Sequence, residues 1–158
     1  MILVTLGTQD KSFVRLLQAI DTQIDAGIIQ DKVIVQAGFT KYESKNMEIF
    51  DYIDRDAFAT LLSEAELIIT HGGVGTIMTA LKAGKKIIGV ARLAQYGEHH
   101  NDHQTQILES FDEQGFLIYC KELDELGDYV KNSENFTPKS YTSNTTAFIH
   151  LIEEFMKK

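Results

Sequence analysis

Five short runs of this chain are apolar almost throughout: "ILVTL" (2–6), "KVIVQ" (32–36), "ELIIT" (66–70), "KIIGV" (86–90) and "FLIY" (116–119). A strand without polar alternation must be covered on both faces, which a one-sided antiparallel sheet does not require. Between these runs the apolar residues take a helical spacing. Phe13, Leu16, Leu17, Ile20 and Ile24 mark one helix, and Ile77, Ala80 and Leu81 mark another. Residues 57–63, 101–113 and 122–130 read as further helices, and "MEIF" (47–50) reads as a sixth strand. Strands and helices in alternation predict an α/β domain, a doubly wound parallel sheet of about six strands flanked by helices. Residues 131–143, which include the single proline Pro138, read as a loop leading to a C-terminal helix arm at 144–158. The chain reads as one domain, since 158 residues suffice for one ordinary core and not for two.

The chain carries a net charge of -8. That field disfavours coating nucleic acid or an anionic membrane, so no nucleic-acid partner is expected. An anionic ligand would have to be held by backbone amides and local dipoles. Cys120 is the only cysteine, which excludes an internal disulfide, and its place after "FLIY" reads as a buried strand end. The start "MILVTLGTQD" reads as a first strand and not a signal peptide. No apolar run approaches the roughly 18 residues of a membrane span, and a cytoplasmic location is expected.

In a doubly wound sheet, ligands sit beyond the carboxyl ends of the strands. Three of those loops are unusual: Gly7-Thr8-Gln9, His71-Gly72-Gly73-Val74-Gly75-Thr76, and "ARLAQYGEHHNDHQ" after Val90. Four of the five histidines fall in the latter two, which places the expected chemistry on one face. The second loop does not complete a dinucleotide fingerprint, because Met78 stands at its third glycine place. Gly84-Lys85-Lys86 does not complete a Walker loop. What remains is a glycine-rich turn at a helix start, able to offer N–H groups and the positive dipole end to a phosphate. The competing reading is a tight turn whose glycines serve packing alone.

His99, His100, Asp102 and His103 invite a metal reading, with His99 and His103 four apart. Against it, the group is not H-E-x-x-H, and a helix start near Asn101 leaves His99 in the loop. The carboxylates are scattered, and no local spacing suggests a Ser/His/Asp set. The last helix carries Phe148, Ile149, Leu151, Ile152, Phe155 and Met156 on a wide apolar face, suited to docking on the domain or on a partner.

Together, "VTLGTQDKSFVRLL", "THGGVGTIMTALKAGKKII" and "YGEHHNDHQ" resemble the C-terminal, donor-binding half of GT-B glycosyltransferases, a Rossmann-like fold. More narrowly, the chain resembles the free-standing version of that half. This version includes the catalytic subunit of the dolichol-pathway N-acetylglucosamine transferase and bacterial capsule or exopolysaccharide transferase subunits. The resemblance implies that Gly7, Thr8, His71, Gly72, Gly73, Gly75 and Thr76 surround the diphosphate of a UDP-sugar. It implies that Tyr52 and Ile53 hold uracil, and that Glu98, His99, His103 and Gln104 face the donor's sugar. Thr79 stands where many relatives carry an acidic residue that grips the ribose, and Gly84-Lys85-Lys86 replaces a frequent Gly-Lys-Pro.

The implied activity is inverting transfer of a sugar from a UDP-sugar to a lipid-linked saccharide in surface-polysaccharide assembly. Galactose, glucose, glucuronate and N-acetylglucosamine remain open. No cofactor or metal is implied, since amides and a helix dipole stabilise the leaving diphosphate. The catalytic base is expected on a membrane-anchored, acceptor-binding partner subunit that recruits this chain to the inner membrane face. Without that partner, an uncovered cleft wall favours self-association into a homo-oligomer. The alternatives are a metal-dependent hydrolase built on the histidine cluster and a nucleotide-binding regulatory module with no chemistry.

Overall fold

A computed structural model describes residues 1–140; the expected C-terminal helix at 144–158 lies outside the described residues. Six strands, β1 (Ile2–Thr5), β2 (Val33–Gln36), β3 (Glu48–Phe50), β4 (Leu67–Thr70), β5 (Lys86–Gly89) and β6 (Ile118–Tyr119), form one sheet in the order β3-β2-β1-β4-β5-β6. Every pairing is parallel. The helices are α1 (Val14–Asp25), α2 (Arg55–Glu64), α3 (Val74–Lys82), α4 (His103–Glu113) and α5 (Leu126–Asn132). The strand order reverses between β1 and β4, and such a switch point opens a crevice at the strands' carboxyl ends. Register brings those ends level. Thr5 lies opposite both Gln36 and Thr70, Thr70 lies opposite Gly89, and the Thr5 and Thr70 hydroxyls bond at 2.8 Å.

The doubly apolar strands are covered as their sequence demands. On one face, Ile2, Val4, Val35, Ile69 and Ile88 pack against Leu16, Leu17 and Ile20 of α1 and Leu126 of α5. On the other, Leu3, Ile68 and Ile87 meet Ile77 and Leu81 of α3 and Leu108 and Phe111 of α4. Each fully buried Leu or Ile contributes roughly 1.5–3 kcal/mol, so this double layer supplies most of the stabilisation. Gly89 brings α4 close to the sheet, because a Cβ there would lie 2.3 Å from Leu108 Cδ2.

Helix boundaries follow local chemistry. The carboxylate of Asp54 caps α2 by accepting from the Ala57 N–H at 2.9 Å. α3 stops before Gly84, whose φ of 70° suits glycine. α4 begins at His103 and not at Asn101, because the Asn101 side chain accepts from the His103 N–H at 3.0 Å and so acts ahead of the helix. The stretch read as a linker is partly ordered: α5 runs to Asn132, a 3-10 turn follows at Ser133–Asn135, and the Lys139 N–H donates to the Gly115 carbonyl at 2.9 Å. Among the described residues no helix is long and apolar enough to cross a membrane.

Candidate functional site

The histidine-glycine turn links β4 to α3. His71 is buried at 5% exposure, and its ring lies between two loops. A Cβ on Gly7 would come within 2.4 Å of His71 Nε2, and one on Gly73 within 2.2 Å of His71 Cε1. A Cβ on Gly72 would meet Gln104 Cβ at 2.6 Å, whereas one on Gly75 meets nothing within 4 Å. The glycines therefore divide in two. Gly7, Gly72 and Gly73 make room for His71 and Gln104, and Gly75 alone opens outward. For Gly7, Gly72 and Gly73 this packing is by itself a sufficient reason for glycine, as the competing reading of the turn expected.

Gln104 is buried, and its Oε1 accepts from the N–H groups of both Gly72 and Arg92 at 3.0 Å. Its Nε2 lies 3.2 Å from His71 Nδ1. The Gly72 N–H points inward to Gln104, and Gln104, although held by these bonds, also lines the cleft that His99 and His103 face. Glu98 is likewise held from within. Its carboxylate is buried, accepts from Arg15 Nε at 3.0 Å and Arg15 Nη2 at 2.9 Å, and also accepts from the Leu93 N–H at 3.0 Å.

Arg92 was not singled out by the sequence reading, yet its guanidinium joins the loop after β1 to the loop after β5. It donates to the carbonyls of Lys11 at 2.8 Å, Glu98 at 3.0 Å and Leu6, and it lies 5.2 Å from the Phe13 ring. Burial lowers its pKa from the ordinary guanidinium value, opposed by Glu98. Its Nε is the one buried side-chain nitrogen or oxygen without a partner among the described residues. An arginine directly after an apolar strand in so acidic a chain was the signal that could have found it.

α3 begins at Val74 with Gly73 as its N-cap, and no side chain caps it. The N–H groups of its first turn lack intrahelical acceptors, and the helix dipole adds positive potential there. Gly75 is exposed and Thr76 half-buried in this first turn, and Thr8 is exposed in the loop after β1. Beside it a cleft of about 300 Å³ is lined by Gln9, Gly73, His99, Asn101, His103 and neighbouring residues. Burial lowers the His71 pKa to about 4, with help from Arg92 and His99, so the ring is neutral at pH 7. The His99 pKa is also lowered, first by burial and then by His100, with which it stacks at 4.4 Å.

The remaining expected residues fall elsewhere. Tyr52 and Ile53 line a separate groove of about 580 Å³ between β3 and α2, together with Phe50 and Leu61. The Ile53 N–H is already bonded to Gln36 Oε1 at 2.8 Å. The Thr79 hydroxyl donates back to the Gly75 carbonyl at 3.0 Å. Among the described residues no three His, Cys, Asp or Glu side chains converge on one ion position, so the histidine cluster lacks the geometry of the hydrolase reading.

A parallel sheet with a switch point, an uncapped helix start and a neutral buried histidine places the molecule among doubly wound domains that bind ligands at their strand ends. Within that class the chain belongs to the glycosyltransferase family 28 C-terminal domain, whose model matches residues 1–158. Mouse "UDP-N-acetylglucosamine transferase subunit ALG13" is 28% identical over 78 residues, 49% of this chain and 6% of the relative. The Candida albicans protein of the same name is 26% identical over 98 residues, 62% of this chain and 32% of the relative. The chain thus spans a third or less of these curated relatives. The NMR solution structure of ALG13 superposes with a TM-score of 0.64 at 19% identity, over 99% of this chain and 96% of that one. The crystal structure of Acinetobacter baumannii MurG superposes at 0.57 and 17% identity, over 98% of this chain and 49% of that one. These superpositions match the six-stranded GT-B half expected from the sequence.

Proposed function

We propose that this chain is the donor-binding, catalytic subunit of a two-component inverting glycosyltransferase that uses a UDP-sugar. The observation that carries the reading is the uncapped start of α3, where Gly75 leaves the first turn open, beside a cleft lined by Gly73, His99, His103 and Gln104. A diphosphate placed there meets backbone N–H groups, a helix dipole and a neutral imidazole. As the bond from the anomeric carbon to the diphosphate oxygen breaks, negative charge grows on the phosphate, and these donors stabilise it without a metal ion. The acceptor hydroxyl attacks from the opposite side of the sugar and gives its proton to a base on the acceptor-binding subunit.

The two-component arrangement draws support from the family, which is a C-terminal half, and from relatives named as subunits. Their name also favours N-acetylglucosamine among the donor sugars. A lipid-linked acceptor, a membrane-anchored partner and the setting of surface-polysaccharide assembly rest on the sequence resemblance. His99, His103 and Gln104 line the cleft beside the start of α3, which supports assigning the donor sugar to them.

Calorimetric titration with UDP, ADP and NAD, each repeated with chelator, tests the reading. The expected result is UDP binding that chelator leaves unchanged. Gly75→Ala should weaken it about tenfold, or ~1.4 kcal/mol, because its methyl group meets no protein atom and enters the ligand's space. If no nucleotide binds even with the acceptor subunit present, the reading is wrong.

A further inference from the structure

The carboxamide of Gln104 has only one orientation that satisfies its neighbours. Two backbone N–H donors, from Gly72 and Arg92, converge on a single atom at 3.0 Å, and only the amide oxygen can accept both. The NH₂ group is then the atom 3.2 Å from His71 Nδ1, and it must donate. A ring nitrogen that accepts carries no proton, so the proton of neutral His71 sits on Nε2. Nε2 lies in the ring edge between Gly7 and Gly73.

We propose that Gln104 is a positioning residue that fixes His71 in the Nε2–H tautomer, so that its donor lies on the ring edge packed against Gly7 and Gly73, next to the start of α3. This rests on the donor-site reading above for its ligand, but not for the tautomer itself. It stands beside the sugar contact that the resemblance implies for Gln104, since the NH₂ group has a second N–H. The opposite tautomer would present a lone pair to the phosphate, which repels it. The amide thus converts an ambivalent imidazole into a donor of fixed direction. Arg92 and His99, the charged and titratable groups acting on His71, both oppose its protonation and act in the same sense.

The test uses long-range proton–nitrogen NMR spectra of the ¹⁵N-labelled chain, with His71 assigned by loss of its signals in His71→Gln. At pH 7 an unprotonated Nδ1, a protonated Nε2 and a through-hydrogen-bond coupling from the Gln104 amide to Nδ1 are expected. The Nδ1–H tautomer, an imidazolium, or absence of that coupling would overturn the proposal. Adding UDP should shift the Nε2–H proton downfield; UDP binding without that shift overturns the assigned direction. In Gln104→Glu a carboxylate oxygen faces Nδ1 and draws a proton to it. UDP affinity, flat from pH 6 to 9 in the unmodified chain, should then fall about tenfold over that range as the ring settles into the Nδ1–H form. An affinity lowered equally at every pH would mark a merely structural role. If the unmodified chain binds no UDP, the donor-site reading fails while the tautomer result stands independently.

Discussion

The two halves of the strand-end face are built differently. Around β1, β4 and β5 the loops are joined by buried polar side chains: Arg92, Glu98, Gln104 and His71 are all at most 5% exposed. Around β2 and β3 the face is aromatic and open, with Phe39 at 54%, Phe50 at 47% and Tyr52 at 58% exposure. β3 is a three-residue edge strand, and the groove beside it is shallow and largely apolar. Buried polar networks hold one geometry when nearly every group is bonded, as here except for Arg92 Nε, because each alternative leaves further desolvated groups unpaired. Exposed rings carry no such penalty. Preorganisation is therefore concentrated where the proposed leaving charge appears, and adaptable surface lies where a base or a partner would settle.

The sharpest way to break this contrast is to fill the space occupied by the His71 ring. Gly73→Ala should cost about 2–3 kcal/mol by overpacking, read from denaturant unfolding. Removing the ring in His71→Ala should recover at least about 1 kcal/mol of that cost in a double-mutant cycle. If the two substitutions simply add, the ring is not what excludes a side chain at position 73.

Acid has an effect of similar size. The His71 pKa is lowered from 6.5 to about 4, so between those values the unfolded chain binds the proton that the folded chain refuses. Stability from this group is full above pH 6.5 and is lost as pH falls toward 4, by about 3 kcal/mol in all. Unfolding curves from pH 7 down to pH 4 should show the loss, and His71→Gln should remove that part of the slope.

The smallest effect belongs to the open half. Tyr52→Ser should change unfolding stability by less than about 0.5 kcal/mol, since the ring is exposed and caps nothing. A cost above 1 kcal/mol would mean that the aromatic side is as fixed as the polar one.

Much of the fold was legible because its strands are apolar on both faces, which leaves few architectures. The site was legible as a location and less so as a set of contacts. Glycines at 7, 72 and 73 look alike in a sequence whether they admit a phosphate or a neighbouring side chain. Only the packing of His71 and Gln104 separates the two cases. Glu98 and Gln104 are polar residues in a loop, which ordinarily signals exposure, and their burial depends on Arg15 and on amides far along the chain. Asn101 misplaced a helix start because a side chain that caps from outside reads like the first residue inside.

The ties of Arg92 also set an order of events during folding. Its bonds to Leu6 and Lys11 join residues 86 and 81 positions apart, and Arg15 to Glu98 spans 83. Contacts that close such long loops are entropically expensive until intervening strands have already paired. The first loop, though synthesised early and held in part by the Phe13 N–H bond to Thr40 Oγ1, gains its long-range ties only when the region from 92 to 104 has emerged and β5 has joined the sheet. A nascent chain halted before that point has β1, β4 and the glycine-rich turn, yet lacks the amide and the guanidinium that shape them.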